Sequence, residues 1–246
     1  MSSRQWSLIG EGKIFIGLRS GGKMRHVGQV KEFKLEVSEE TKELKNYEGG
    51  GGLADSVSFI SKVEASLNFA SLSSQNLAMA LRGVDSVEAS VVKTDEALTA
   101  YRGGILPLAG IGPTSVTLKK ASDDSVIPVS EYEITSAGLI ISDTSTIISD
   151  AGTAVKVSYT TTAGTTIQTL VSAGNEYRII FSGTNFARAG KPMSVEMHRV
   201  KFSPPKDLSL ISDDFAALTL TGTVLKDDTK TGVDISAFCT IRMVEN

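Results

Sequence analysis

Apolar and polar residues take turns along most of this chain, the period of a β-strand with one face in a core and the other in water. In Phe33-Lys34-Leu35-Glu36-Val37-Ser38 the alternation is unbroken. From Val57 to Phe69 it runs longer: Val57, Phe59, Val63, Ala65, Leu67 and Phe69 share one side, Ser58, Lys62, Glu64, Ser66 and Asn68 take the other, and Ile60 breaks the phase. Similar patterns predict strands at 12–18, 176–182, 193–202, 216–225 and 238–244, with a slip between Met197 and Val200 that predicts a bulge. One helix is predicted. Ser73-Ser74 supply an N-cap, Gln75 to Arg82 contain good helix formers, and Gly83 stands where a left-handed C-terminal residue belongs. Leu77 and Leu81 lie four apart on a face that would pack on the sheet, with Met79 part of the same packing. The fold class is all-β.

Residues 112–165 read as an inserted small β unit, which leaves 1–111 and 166–246 as the two parts of the main domain. Short strands are predicted around Val116-Thr117-Leu118, Tyr132-Glu133-Ile134, Leu139-Ile140-Ile141 and Val155 to Tyr159. Turn clusters at Ser122 to Ser125 and Asp150 to Gly152 divide them, and the flanks Gly110 to Pro113 and Thr160 to Gly164 read as hinges. The pattern alone also fits a continuous meander of one larger sheet. Between two long strands lies EETKELKNYEGGGGLADS, from Glu39 to Ser56, which reads as an 18-residue loop. Hairpin loops usually have about 2–5 residues, and longer structureless ones tend to be functional. With its charges, Tyr47 and the Gly49–Gly52 run, it has no core of its own. It reads either as a solvated loop or as an arm that orders against a neighbouring copy of the chain.

Composition narrows the function classes. The chain has 246 residues, 41% hydrophobic and 22% charged, enough for a core under a wettable surface. Lys and Arg number 25 against 28 Asp and Glu, so the basic footprint that neutralises nucleic-acid phosphates is missing. One cysteine, Cys239, excludes an internal disulfide, and its apolar neighbours read as a buried thiol rather than a nucleophile. The start, MSSRQWSLIGEGKIF, with the lone Trp6, lacks the apolar core of a secretory signal, and no stretch approaches the ~20 apolar residues of a membrane helix. A cytoplasmic place of synthesis is the expectation.

The search for chemistry returns little. Gly17 to Lys23 matches the first seven positions of a phosphate-binding GxxxxGK[ST] loop, but Met24 stands where the magnesium-holding hydroxyl belongs and a strand pattern follows. A Gly-rich hairpin turn is the better account. Gly190-Lys191 fails in the same way, because Pro192 follows. The two histidines, His26 and His198, form no cluster with the cysteine, and His198 is expected on the polar side of its strand. The acidic doublets Glu39-Glu40, Asp123-Asp124, Asp213-Asp214 and Asp227-Asp228 fall mostly in predicted turns, where such pairs are usually solvated or capping. No catalytic residue, metal site or cofactor is expected.

The order of features is more specific than any one of them. A Gly-rich first strand leads to a long hairpin with an oversized charged loop. Next come Ala70-Ser71-Leu72-Ser73-Ser74-Gln75-Asn76-Leu77-Ala78-Met79-Ala80-Leu81-Arg82-Gly83, the inserted unit, Met197-His198-Arg199-Val200-Lys201-Phe202-Ser203-Pro204, and the stretch from Leu208 to Leu225. Over most of the chain outside the insert this resembles the major tail tube protein of long-tailed bacteriophages. The resemblance implies a β-sandwich or barrel with one flanking helix. It implies rings, six copies each, that stack into a tube in the virion, after assembly in the host cytoplasm. Its partners would be further copies of itself and the tape measure, tail-tip and tail terminator proteins, with no membrane. DNA would pass through the lumen without specific binding. The loop residues Lys42, Leu44, Lys45, Tyr47, Glu48, Gly49, Gly50, Gly51, Gly52 and Leu53 would then make the contact between subunits. The alternative from another class is a tail-tip or adhesin-like module that binds a surface or carbohydrate.

Overall fold

A computed structural model describes residues 7–211, 213 and 216–244, so Trp6 and the Asp214-Phe215 step lie outside the described residues. In chain order come β1 (Gly10–Leu18), β2 (Arg25–His26), β3 (Val30–Lys45), β4 (Leu53–Phe69) and helix α1 (Ser74–Ala80). Then follow β5 (Val84–Glu88), β6 (Val92–Ala100), β7 (Ile105–Pro107), β8 (Ile111–Lys120), β9 (Tyr132–Thr135), β10 (Gly138–Ile141) and β11 (Thr153–Thr162). The last are β12 (Gly164–Gln168), β13 (Glu176–Asn185), β14 (Lys191–Phe202), β15 (Leu218–Val224) and β16 (Cys239–Met243). The protein is all-β with antiparallel pairing, and it divides into Met1–Val84 with Ile167–Asn246 as one unit and Asp85–Thr166 as the other.

The first unit is an eight-stranded sheet in the order β2-β1-β13-β14-β15-β4-β3, with β16 on β14 beside β15. One short tie governs its shape. β2 and β3 stand at opposite ends of that order, yet only Val27, Gly28 and Gln29 separate them. Four Cα steps span at most about 14 Å, so the sheet has to curl until its ends nearly meet. Its concave side collects Ile14, Ile16, Val63, Ala65, Leu67, Phe69, Ile179, Val200, Leu218 and Leu220, all buried. Alternation along each strand supplies them, as the sequence pattern predicts.

Helix α1 closes one side of that core and pins the tie. Ser73 caps it, its Oγ accepting from the Asn76 amide at 3.2 Å. The C-terminal turn is one residue earlier than expected. Arg82, not Gly83, takes the left-handed conformation (φ 50°), while the Gly83 amide bonds back to the Ala78 carbonyl at 2.7 Å. Gly83 is required for another reason: a Cβ there would collide with the Gln168 carbonyl oxygen. Asn76 is the joint. Its side-chain amide donates to the Val27 and Ser71 carbonyls, both at 2.8 Å, and its carbonyl oxygen accepts from Arg25 at 2.6 Å. Met79 and Leu77 pack on the core as predicted, and the bulge in β14 is present, with His198 and Arg199 set against Arg178 alone.

The second unit begins at Asp85, earlier than the boundary expected at 112, and ends at Thr166 against an expected 165. Pairing explains the earlier start: β6 joins β11 and β8 in one three-stranded sheet, and β7 joins β10 and β9 in another. The flank Gly110 to Pro113 is therefore no hinge, since β8 starts at Ile111 and Pro113 is buried. Leu106, Leu118, Leu139, Ile141, Val155, Val157 and Tyr159 fill the core between the two sheets. The Tyr159 hydroxyl donates to Glu96 at 2.6 Å and accepts from the Ala109 amide at 3.1 Å, so its polar end is satisfied. At the crossings between units, β5 and β12 pair as a two-stranded ribbon.

Two outcomes follow for stability. Asn76→Ala removes the donors to the Val27 and Ser71 carbonyls and one acceptor of Arg25, and should cost about 2–4 kcal/mol, read from the midpoint of urea unfolding. Replacing Asp85–Thr166 by a short Gly/Ser linker should leave the first unit folded, because its core draws nothing from that span. Circular dichroism and a single cooperative melt would check this; an insoluble or molten product would show that the units fold together.

Candidate functional site

The feature that stands apart is the far half of the β3–β4 hairpin. Near its base β4 pairs β15 on one edge, through Glu64 to Phe69, and β3 on the other. Beyond that, among the described residues, Val37–Lys45 and Leu53–Lys62 pair only with each other. Every residue of β3 from Val37 onward and of β4 up to Lys62 is exposed. At about 3.4 Å per residue this arm reaches roughly 27 Å. The stretch expected as an 18-residue loop is thus mostly strand. Only Asn46 to Gly52 turn, because Thr41↔Ser58, Lys42↔Val57 and Leu44↔Asp55 continue the ladder.

A bulge rearranges the arm's faces. The register jumps from Ser38↔Lys62 to Glu39↔Ile60, leaving Ser61 as the extra residue, its hydroxyl bonded to the Ser38 carbonyl at 3.2 Å. Ile60 therefore shares the face of Val37 and Val63, while Val57 and Phe59 go to the opposite face with Leu44. The single long apolar face expected from Val57 to Phe69 is two half-faces. Ile60, which breaks the sequence period, marks the bulge. Val57, Phe59 and Leu44 are 59%, 42% and 54% exposed, and Lys42 lies over the Phe59 ring at 5.7 Å from its centre.

The tip carries hydrogen bonds of its own. Asn46 accepts from the Glu48 amide at 2.9 Å, and donates from its side chain to the Gly49 carbonyl at 2.8 Å and from its backbone to Gly52 at 3.1 Å. Gly49, Gly50, Gly51 and Gly52 all have positive φ, from 71° to 100°, which other residues rarely adopt. Tyr47 is 84% exposed and Leu53 52%, at the far end of the arm with Lys45 and Glu48 beside them. The structure thus places all ten residues of the expected contact, Lys42 to Leu53, on one projecting element. The sequence carries little signal for these strands, because Glu39 to Glu43 are all polar and Leu44 alone breaks the run.

The remaining candidates fall to structural roles. Gly17 to Lys23 is a turn closed by the Gly21 amide on the Leu18 carbonyl at 3.1 Å. His198 is buried among polar side chains rather than solvated; its Nδ1 lies 3.4 Å from Glu196 and its Nε2 3.3 Å from the Thr240 hydroxyl. Burial works against the charge on Glu196, but Arg178, bonded at 2.7 and 3.0 Å, leaves that carboxyl below its ordinary value. Cys239 is half-buried, and burial pushes its thiol pKa up. Asp227 is buried rather than solvated. Arg19 holds its carboxyl well below the usual range through bonds at 2.9 and 3.4 Å; burial opposes this, and Thr229 assists. Arg199 and Glu176 extend that clasp at 2.6 Å. Among the described residues no group of three or more His, Cys, Asp or Glu is placed to hold a metal, and no helix is long and apolar enough to cross a membrane.

The clasp sets a pH dependence. A carboxyl whose folded pKa is depressed lends stability above its unfolded value and loses it as pH falls. Thermal stability should therefore decline progressively below about pH 5, and Asp227→Asn should flatten that decline while lowering the melting temperature at neutral pH. Scanning calorimetry between acid and neutral pH checks both; an unchanged acid slope in the variant would assign the loss to other carboxylates.

No curated protein matches the chain. A family match covers residues 7–242, nearly the whole length and both units. The chain belongs to the family described as protein of unknown function UCP028589.

Proposed function

We propose that this protein is a structural subunit that polymerises through stacked rings into the tail tube of a long-tailed phage. The observation that carries the reading is the arm. A two-stranded hairpin alone in water is marginal at best, and this one leaves Leu44, Tyr47, Val57 and Phe59 exposed over both strands and its tip. Such an element gains its stability from a neighbour. The order of the hairpin, capped helix and late strands, which resembles tail tube proteins, supplies the kind of neighbour: further copies of the chain.

Unpaired edges support the same reading. Among the described residues β3 pairs only β4, and β1 from Gly10 to Lys13 pairs only β13. Exposed edges are usually blunted or covered, and pairing between subunits is one way to cover them. A net charge of −3 suits a conduit from which DNA has to slide free, since a basic wall would hold its phosphates.

Negative-stain microscopy of concentrated, seeded protein should show rings or tubes, whereas uniform small particles under all conditions would sink the proposal. Deleting Lys45 to Leu53 should leave a folded, soluble chain that no longer assembles. Normal tubes from that deletion would show the arm to be a solvated projection.

A further inference from the structure

Among the described residues of the first unit lies an open cleft of about 860 Å³. Its walls include Phe33 of β3, Phe181 of β13, Met193 and Val195 of β14, and Ile241 and Met243 of β16. The open edges of β1 and β3 form its lips. Beside these apolar side chains stand Glu11, Lys13, Lys31 and Glu32. Phe33 and Phe181 make a tilted ring contact within that lining, 6.3 Å between centres.

We infer that this cleft receives the arm tip, Tyr47 with Leu53 and Leu44, of a second copy of the chain. This rests on the tube reading above and names its acceptor surface. The arm cannot fill its own cleft. Phe33 stands in the cleft wall and Leu44 lies eleven residues along the same strand, roughly 35 Å away at about 3.3 Å per residue. A continuous ladder with β4 keeps the strand extended over that distance. Among the described residues the tip and the cleft are thus two uncovered features of one unit, held apart by the hairpin ladder. Joining them takes two molecules. Because donor and acceptor are different surfaces, the contact is head-to-tail and repeats without closing on itself. The spacer then sets the step between successive copies, on the order of 35 Å.

The test places a benzophenone amino acid at position 47, a substitution of one exposed aromatic by another. Irradiated polymer should give a ladder of covalent oligomers, and mass spectrometry should find position 47 joined to peptides containing Met193, Met197 or Met243 of another chain. A second variant, Ile241→Asp with Met243→Asp, changes two side chains that are 53% and 54% exposed, so the fold should survive by circular dichroism. It should raise the concentration needed for assembly at least about tenfold, which is 1.4 kcal/mol per contact. Tubes whose cross-links from position 47 map elsewhere, or within one chain, overturn this assignment and leave the tube reading standing. Tubes of the double variant at the unaltered concentration do the same. Absence of any polymer from the unsubstituted chain overturns both.

Discussion

Three residues determine the shape of the first unit. Because Val27, Gly28 and Gln29 join strands at opposite ends of the sheet order, the sheet is forced to curl, and curling is what gives its alternating strands a common core. The tie is held by side-chain chemistry rather than by packing alone. Asn76 grips the Val27 carbonyl, and the Ser71 hydroxyl accepts from the Gln29 amide at 2.8 Å. Gly28 is φ +83° and a Cβ there would press on Ser71, so the chain passes at a place only glycine fits. The capped helix is thus less a lid than a lock on the curl.

The charged clasps have a related task at the other end of the same strands. The β14 bulge breaks the ladder with β13, and the groups around it are ionic: Arg178 with Glu196 on one side, Arg199 with Glu176 on the other. Arg19 and Asp227 bring the ends of β1 and the β15–β16 connection into the second clasp. Half-buried bidentate pairs are geometrically demanding, so they fix which residues the bulge displaces, a matter the apolar core leaves open.

Much of this was legible in the sequence because alternation is read residue by residue. Strands β1, β4, β13, β14, β15 and β16, the Ser73 cap and the β14 slip all follow from period and cap chemistry. What escaped was set by partners far apart in the chain. Asn76 looks like an ordinary helix residue until Val27 is beside it, and Asp227 looks like a turn carboxylate until Arg19 arrives. The second unit's early start escaped for the same reason: β6 is identified by pairing with β11, about sixty residues on. The ten residues expected to make a contact lie together on the arm, though expected as a loop, because the polar run from Glu39 to Glu43 hides the strand.

The arm also has a mechanical meaning. A load applied at its tip runs along the strand axes and reaches the body through the six-residue pairing of β4 with β15. Those hydrogen bonds lie across the pull, so they are sheared together rather than parted one after another. A hairpin anchored in this way yields by bending at the Ser61 bulge before it tears from its sheet. An assembly linked by such arms would flex at its joints while its subunits stay intact.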